Sequence, residues 1–127
     1  MTRRSIEVAS FAHSNPIPAA CRIGPLLVSS IIGPRNADDG RVPEGIDAQL
    51  ANLFHHMGEM LREGGGDWRH VAKVTFYVSD IAHREAINAP WVERFPDPAS
   101  RPARYTQASG DAGRVLATCE FLAYIED

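Results

Sequence analysis

The sequence predicts an α+β fold: one mostly antiparallel sheet with two helices packed on one face, in the order β-ββ-α-β-α-ββ. Three observations predict it. Several short segments alternate apolar and polar residues with the period of two of a half-buried strand. Two longer stretches repeat apolar residues at helical spacing. Clusters of glycine and proline separate these segments. One sheet with helices on one side is the layered arrangement that such an order allows. The 127 residues fit one compact domain over 1–127 and leave no length for a separate cofactor domain.

Residues 5–11 alternate and predict the first strand. Pro16 and Pro18 forbid regular structure over 13–18. Two apolar runs, 19–23 and 26–32, are split by Gly24-Pro25 and predict a hairpin. Residues 33–44 read as a loop. Ile46, Leu50, Leu53, Phe54, Met57 and Leu61 then recur at helical spacing, and Gly64-Gly65-Gly66 stops the helix. Val74, Phe76 and Val78 share one face of a strand over 71–78. Ser79-Asp80 is an N-cap for a second helix over 81–95, in which Pro90 is a blemish that kinks or shortens it. Two strands, 102–108 and 115–125, close the chain around a turn at 109–114.

The last strand is anomalous. Val115, Ala117, Cys119, Phe121 and Ala123 form one face, and Leu116, Thr118, Glu120, Leu122 and Tyr124 the other. A sheet with helices on one side and water on the other should show clean alternation. Here both faces are largely apolar, which predicts self-association. Glu120 is the one charge on the even face, and a buried carboxylate needs a partner. If the 109–114 turn makes a hairpin centred near Ala112, Arg104 lies across from Glu120 with Cβ atoms about 5 Å apart. That pair has two readings. One is a cross-strand ion pair that fixes sheet register. The other is a guanidinium that grips a substrate carboxylate while the glutamate handles protons or water.

Charge and composition exclude several classes. The net charge is −3 and the pI about 5.9, with no basic run longer than Arg3-Arg4, so nothing suggests a phosphate-neutralising face and no nucleic-acid partner is expected. No stretch approaches the ~20 apolar residues that cross a bilayer. No apolar run follows the charged N-terminus, so no signal peptide is visible and a cytoplasmic protein is expected. Cys21 and Cys119 lie in apolar strand-like segments and read as free thiols that pack, not as nucleophiles. The two rings of His55-His56 point about 100° apart on a helix, so a shared metal is not expected and solvated surface is the better reading. His70 and His83 have no metal-ligand spacing, and Gly64-Gly65-Gly66 lacks the context of a phosphate loop. Neither metal nor organic cofactor is expected.

Several segments, in order and at the right spacing, resemble the RidA/YjgF family. Arg101-Pro102-Ala103-Arg104 resembles its Pro-Ala-Arg signature. The run from Gly24 through Ser30 is similar to its glycine-led hydrophobic strand ending in serine, and residues 46–66 to its first helix. Residues 71–80 are similar to its central strand and following aspartate, Ile87-Asn88 and Trp91 to its second helix, and residues 119–123 to its final strand. The resemblance runs from about residue 16 to 125.

The resemblance implies a chorismate-mutase-like fold and a homotrimer, sheets packed into a central barrel, with sites in clefts between subunits. It implies hydrolytic deamination of short-lived 2-imino or enamino acids, such as 2-aminoacrylate, to 2-keto acids and ammonia, without a cofactor. Arg104 matches the arginine that binds the substrate carboxylate, and Glu120 the glutamate that positions or activates water. Ser30 and Asn88 match the family's serine and asparagine, and the backbone near Thr106 is a further polar contact. Three positions depart from the family pattern. Ile17 stands where many members have a tyrosine, Ile31 where a glycine often follows the serine, and Thr106 where cysteine is frequent. A preference for an imino acid other than aminoacrylate is therefore expected. His13 or Asn15, just before Ile17, is a candidate to replace the lost hydroxyl. The plainer reading makes His13 a solvated loop residue and Asn15 a turn residue before Pro16. Two alternatives stand beside the deaminase: a pathway-specific deaminase of an aminomuconate-type intermediate, and a non-catalytic regulatory trimer that binds a small carboxylate. An RNA-cleaving role is disfavoured by the acidic charge balance.

Overall fold

The computed structural model describes residues 2–126 and confirms an α+β fold with two helices against one sheet. Its elements are β1 (Arg3–Ile6), β2 (Ala20–Ile23), β3 (Leu26–Ser29), α1 (Ile46–Glu63), β4 (Val71–Val78), α2 (Asn88–Arg94), β5 (Ala103–Ala108) and β6 (Ala117–Tyr124). Short 3₁₀ segments cover Trp68–His70 and Ile81–Ile87. The first strand is shorter than its alternation suggests and begins earlier. The second helical segment is divided: Asp80 caps the 3₁₀ turn, its carboxylate accepting from the Ala82 amide at 2.9 Å, and the α-helix starts only at Asn88. Pro90 is the third residue of α2, where the missing amide has no intrahelical partner to lose.

The sheet order is β1-β2-β3-β6-β4-β5. This corrects the hairpin expected for the last two strands. β5 pairs in parallel with one edge of β4, and β6 pairs antiparallel with the other. The 3₁₀–α2 crossover between β4 and β5 makes them a parallel β-α-β unit. The 109–116 connection passes over the end of β4: the Ser109 amide donates to the Val78 carbonyl, and the Ser79 amide to the Leu116 carbonyl. β6, the most apolar strand, thereby takes a central place between β3 and β4.

On the helix face, Leu27, Val74, Phe76, Val78, Ala117, Cys119, Phe121 and Ala123 are buried against Leu50, Leu53, Phe54, Met57, Met60 and Leu61 of α1 and Trp91 of α2. Each large side chain removed from water contributes roughly 1.5–3 kcal/mol. Gly64 closes α1 where chain packs on chain: a Cβ there would lie 2.8 Å from Leu27 Cδ2 and 3.1 Å from the Met60 carbonyl oxygen. Gly65 follows at φ 91°, the left-handed turn that ends the helix. His56 is a correction. His55 is exposed, but His56 is fully buried, with Nε2 donating to the Arg35 carbonyl at 2.7 Å and Nδ1 3.0 Å from the Ser10 hydroxyl. The helical stripe it joins turns it into the core. Both cysteines are free, Cys119 buried and Cys21 half-buried.

The opposite sheet face is uncovered. It presents Leu26 and Val28 of β3, Thr118, Glu120, Leu122 and Tyr124 of β6, Lys73, Thr75 and Tyr77 of β4, and Tyr105 of β5. Leu122 is 40% exposed, Tyr124 52% and Tyr105 53%. Among the described residues no helix is long and apolar enough to cross a membrane.

Candidate functional site

Arg104 is the second residue of β5 and stands opposite Val74, which places its side chain on the helix side of the sheet. There it meets the start of α2. Its Nη2 donates to Asn88 Oδ1 at 2.9 Å, and its guanidinium lies 5.2 Å from the Trp91 ring centroid. Trp91 is itself fixed by edge contacts with Phe76 and Phe95, at centroid distances of 6.4 and 4.7 Å. Stacking plus one neutral acceptor holds the guanidinium in place and leaves most of its five N–H donors unused. Among the described residues no carboxylate lies within ion-pair distance of Arg104. Burial, and then the charge of Arg84, lowers its pKa below the usual arginine value. A half-buried cation with spare donors and no carboxylate beside it among the described residues has the chemistry to pair with an anion.

Glu120 lies elsewhere. It stands opposite Thr75 of β4 on the uncovered face, half-buried, with Tyr77 its diagonal neighbour on β4 and Tyr105 across Thr75 on β5. Arg104 and Glu120 are thus separated by β4 and point to opposite faces of one sheet, which corrects their expected cross-strand contact. Two strand spacings put their backbones about 10 Å apart. Within one protomer they are neither an ion pair nor able to hold one small substrate between them.

Other expected site residues divide between these places. Asn88 is with Arg104, and Thr106, opposite Phe76, points to the same side. Ser30 uses its hydroxyl to donate to the Pro18 carbonyl at 2.8 Å, which ties the 16–18 segment to the end of β3. Ile17 is 45% exposed and offers no polar group. His13 is not simply solvated. Its Nε2 donates to the Ile31 carbonyl at 2.7 Å, and its ring packs edge-on against Phe11 at 4.9 Å. Asn15 keeps a turn role: its carbonyl accepts from the Ile17 amide at 2.7 Å. His13, Asn15 and Ile31 line a cavity of about 290 Å³ that also touches Thr118, two residues from Glu120 on the same face. Among the described residues no three His, Cys, Asp or Glu side chains converge as a metal site would require.

Two residues of this arrangement carry no strong signal in the sequence. Tyr77 shares a strand face with Thr75, the face opposite Val74, Phe76 and Val78, and only the pairing of β4 with β6 sets it beside Glu120. Arg84 has no local signal that ties it to Arg104.

Residues 8–115 match the family model described as Endoribonuclease L-PSP. The chain belongs to the RidA/YjgF family. Among relatives, the mitochondrial protein mmf2 of Schizosaccharomyces pombe is 31% identical over 111 residues, which covers 87% of this chain and 85% of that one. A RutC family protein of Aquifex aeolicus is 32% identical over 65% of this chain and 66% of its own length. The chloroplastic Reactive Intermediate Deaminase A of Arabidopsis thaliana is 30% identical over 64% of this chain, and the match covers 42% of that relative. The structure of the YjgF gene product from E. coli superposes on this RidA/YjgF chain with a TM-score of 0.85 at 21% identity, covering 97% of this chain and 99% of that one.

Proposed function

We propose that this protein is a hydrolytic deaminase of 2-imino or enamino acids, working as a homotrimer with sites between subunits. The observation that carries the reading is Arg104: a half-buried guanidinium, stacked on Trp91, held by the neutral Asn88 and without a carboxylate partner among the described residues. Such a group suits the carboxylate that every 2-imino acid carries. Glu120 faces away from it in the same protomer, so a substrate that meets both needs Glu120 from a neighbouring copy. The uncovered apolar sheet face around Glu120 is where that neighbour packs.

The chemistry then needs few groups. Protonation of an enamine at carbon gives the imine. Water, deprotonated by Glu120, adds to the C=N carbon, the nitrogen takes up a proton, and ammonia leaves to yield the 2-keto acid. Fixing the carboxylate on Arg104 sets that carbon near the base, and proximity supplies much of the acceleration. The activity of the Arabidopsis relative, as its name states it, agrees with this reading.

The test generates imines with an amino-acid oxidase and follows ammonia release. Wild type accelerates release from at least one imino acid, and Arg104→Ala lowers kcat/KM by about 100-fold or more, the worth of a charge-assisted bidentate contact. Equal rates for both across monocarboxylic and ring-derived imines would overturn the deaminase.

A further inference from the structure

The cavity bounded by His13, Asn15 and Ile31 lies at one end of the uncovered sheet face, and strand register sets it beside Glu120. Ile32 bridges Cys119 in antiparallel sense: the Ile32 amide donates to the Cys119 carbonyl at 2.8 Å, and the Cys119 amide to the Ile32 carbonyl at 3.1 Å. Both side chains are fully buried on the helix side. Their chain neighbours therefore turn to the other side, Ile31 next to Glu120 and Gly33 next to Thr118. Ile31, Gly33 and Thr118 all line the cavity. Glu120 follows Thr118 on the same face, about 7 Å along β6.

The walls are mostly apolar and are held from behind. Phe11, Ile31, Pro34, Val42 and Val115 supply the apolar lining, while the polar lining residues Ser14, Asn15 and Arg35 are exposed and form the rim. Phe11 is wedged between the rings of His13 and His56, at centroid distances of 4.9 and 5.2 Å. His13 is tied to the Ile31 carbonyl through Nε2. The fully buried Gln49 of α1 holds the other two stretches. Its amide nitrogen donates to the Pro43 and Arg114 carbonyls at 2.9 and 2.7 Å, and its oxygen accepts from the Leu116 amide at 2.7 Å. One side chain thus pins the backbone next to Val42 and on both sides of Val115. A cavity with walls bonded in this way stays open without a ligand.

We propose that this cavity is a side-chain subsite, which takes a branched or aromatic apolar group on a 2-imino acid whose C=N carbon lies at Glu120. The proposal rests on the deaminase reading and deepens it: the substrates are imino acids with bulky apolar side chains, not those with a methyl group or a second carboxylate. Size argues for this occupant. The cavity holds about 290 Å³. An apolar cavity of about 150 Å³ already accepts a benzene ring. Whole small ligands fill roughly 300–1,000 Å³, so this space suits one part of a ligand whose carboxylate is bound elsewhere.

Two measurements test this. The first compares kcat/KM for imines made by amino-acid oxidases from alanine, leucine, phenylalanine and glutamate. Each methylene moved from water into an apolar site is worth about fourfold. The three added carbons of the leucine-derived imine should therefore raise kcat/KM about 60-fold over the alanine-derived one. Val42→Trp fills the cavity and should bring that ratio below about fivefold, and Val115→Trp should do the same from a separate segment. A wild-type ratio near one, or a glutamate-derived imine as the best substrate, overturns the proposal. So does a Val42→Trp trimer that dissociates with its side-chain preference intact, because a neighbouring copy then fills the cavity. The second measurement needs no turnover: saturation-transfer NMR with the product 2-keto acids. 4-Methyl-2-oxopentanoate should bind wild type about 60-fold more tightly than pyruvate and lose that advantage in Val42→Trp. If wild type hydrolyses no imine, the deaminase reading fails by itself, whereas equal affinities for the two keto acids would separately refute the subsite.

Discussion

If the site takes Arg104 from one subunit and Glu120 from the next, two dead variants should rescue each other. In a single protomer the two side chains lie on opposite faces of the sheet, with β4 between their strands. That is about 10 Å of backbone separation before side-chain direction is counted. Arg104→Ala and Glu120→Gln, each prepared alone, give trimers in which every site lacks one group. Co-expressed in equal amounts with different tags, they assemble at random. A head-to-tail site then has both native groups when its first protomer carries Glu120→Gln and its second carries Arg104→Ala, which happens at about one site in four. Each doubly tagged trimer then carries one native site in three, so doubly tagged trimers should recover about a third of wild-type ammonia release, against a background at least 100-fold below wild type for either parent. Native mass spectrometry confirms mixed composition. Mixed trimers that stay as inactive as their parents would refute the shared site and require a rearrangement that brings both groups together within one chain.

Three further outcomes follow from the packing. His56 is buried with a lowered pKa, because burial opposes its charged form and outweighs the Arg35 carbonyl, which favours it, with the His55 charge adding to the lowering. The unfolded ring titrates near about 6.5, so the unfolded chain gains a proton first as pH falls. The stability from neutral His56 is therefore complete above about pH 6.5 and is lost below it towards the folded pKa, and His56→Ala should flatten that part of the Tm–pH curve while costing about 2–5 kcal/mol in urea. Gly64→Ala drives a Cβ to 2.8 Å from Leu27 Cδ2 and 3.1 Å from a backbone oxygen, so denaturant unfolding should show a loss of about 1–3 kcal/mol, with KM for imines unchanged. Burial pushes the Cys119 thiol far above its usual range, so a thiol reagent at pH 8 should modify the half-buried Cys21 of native protein and reach Cys119 only after unfolding.

Much of the fold is legible because its signals are local. Apolar runs split by Gly24-Pro25 mark β2 and β3, the alternate apolar face of Val74, Phe76 and Val78 marks β4, the stripe from Ile46 to Leu61 marks α1, and glycines stop it where Leu27 and the Met60 carbonyl leave no room for a side chain. In the protomer the even face of the last strand carries exposed Leu122 and Tyr124. Local pattern fails at His56, whose polar ring belongs to the buried stripe because Ser10 and the Arg35 carbonyl satisfy both nitrogens. It fails again at the 81–95 segment, where a capped 3₁₀ turn precedes a short α-helix.

The sequence by itself determined the composition of the candidate site: an arginine after Pro102-Ala103, an asparagine within the second helical segment, and a glutamate alone on an apolar strand face. Only the tertiary structure decided their arrangement. Strand pairing is non-local, and the turn at 109–114 looks the same whether its flanking strands join each other or straddle a third. Because the crossover from β4 to β5 fills one edge of β4, β6 is left the other, and the insertion of that single strand turns an apparent Arg104–Glu120 ion pair into a guanidinium held by Asn88 and Trp91 on one face and a half-buried carboxylate on the other.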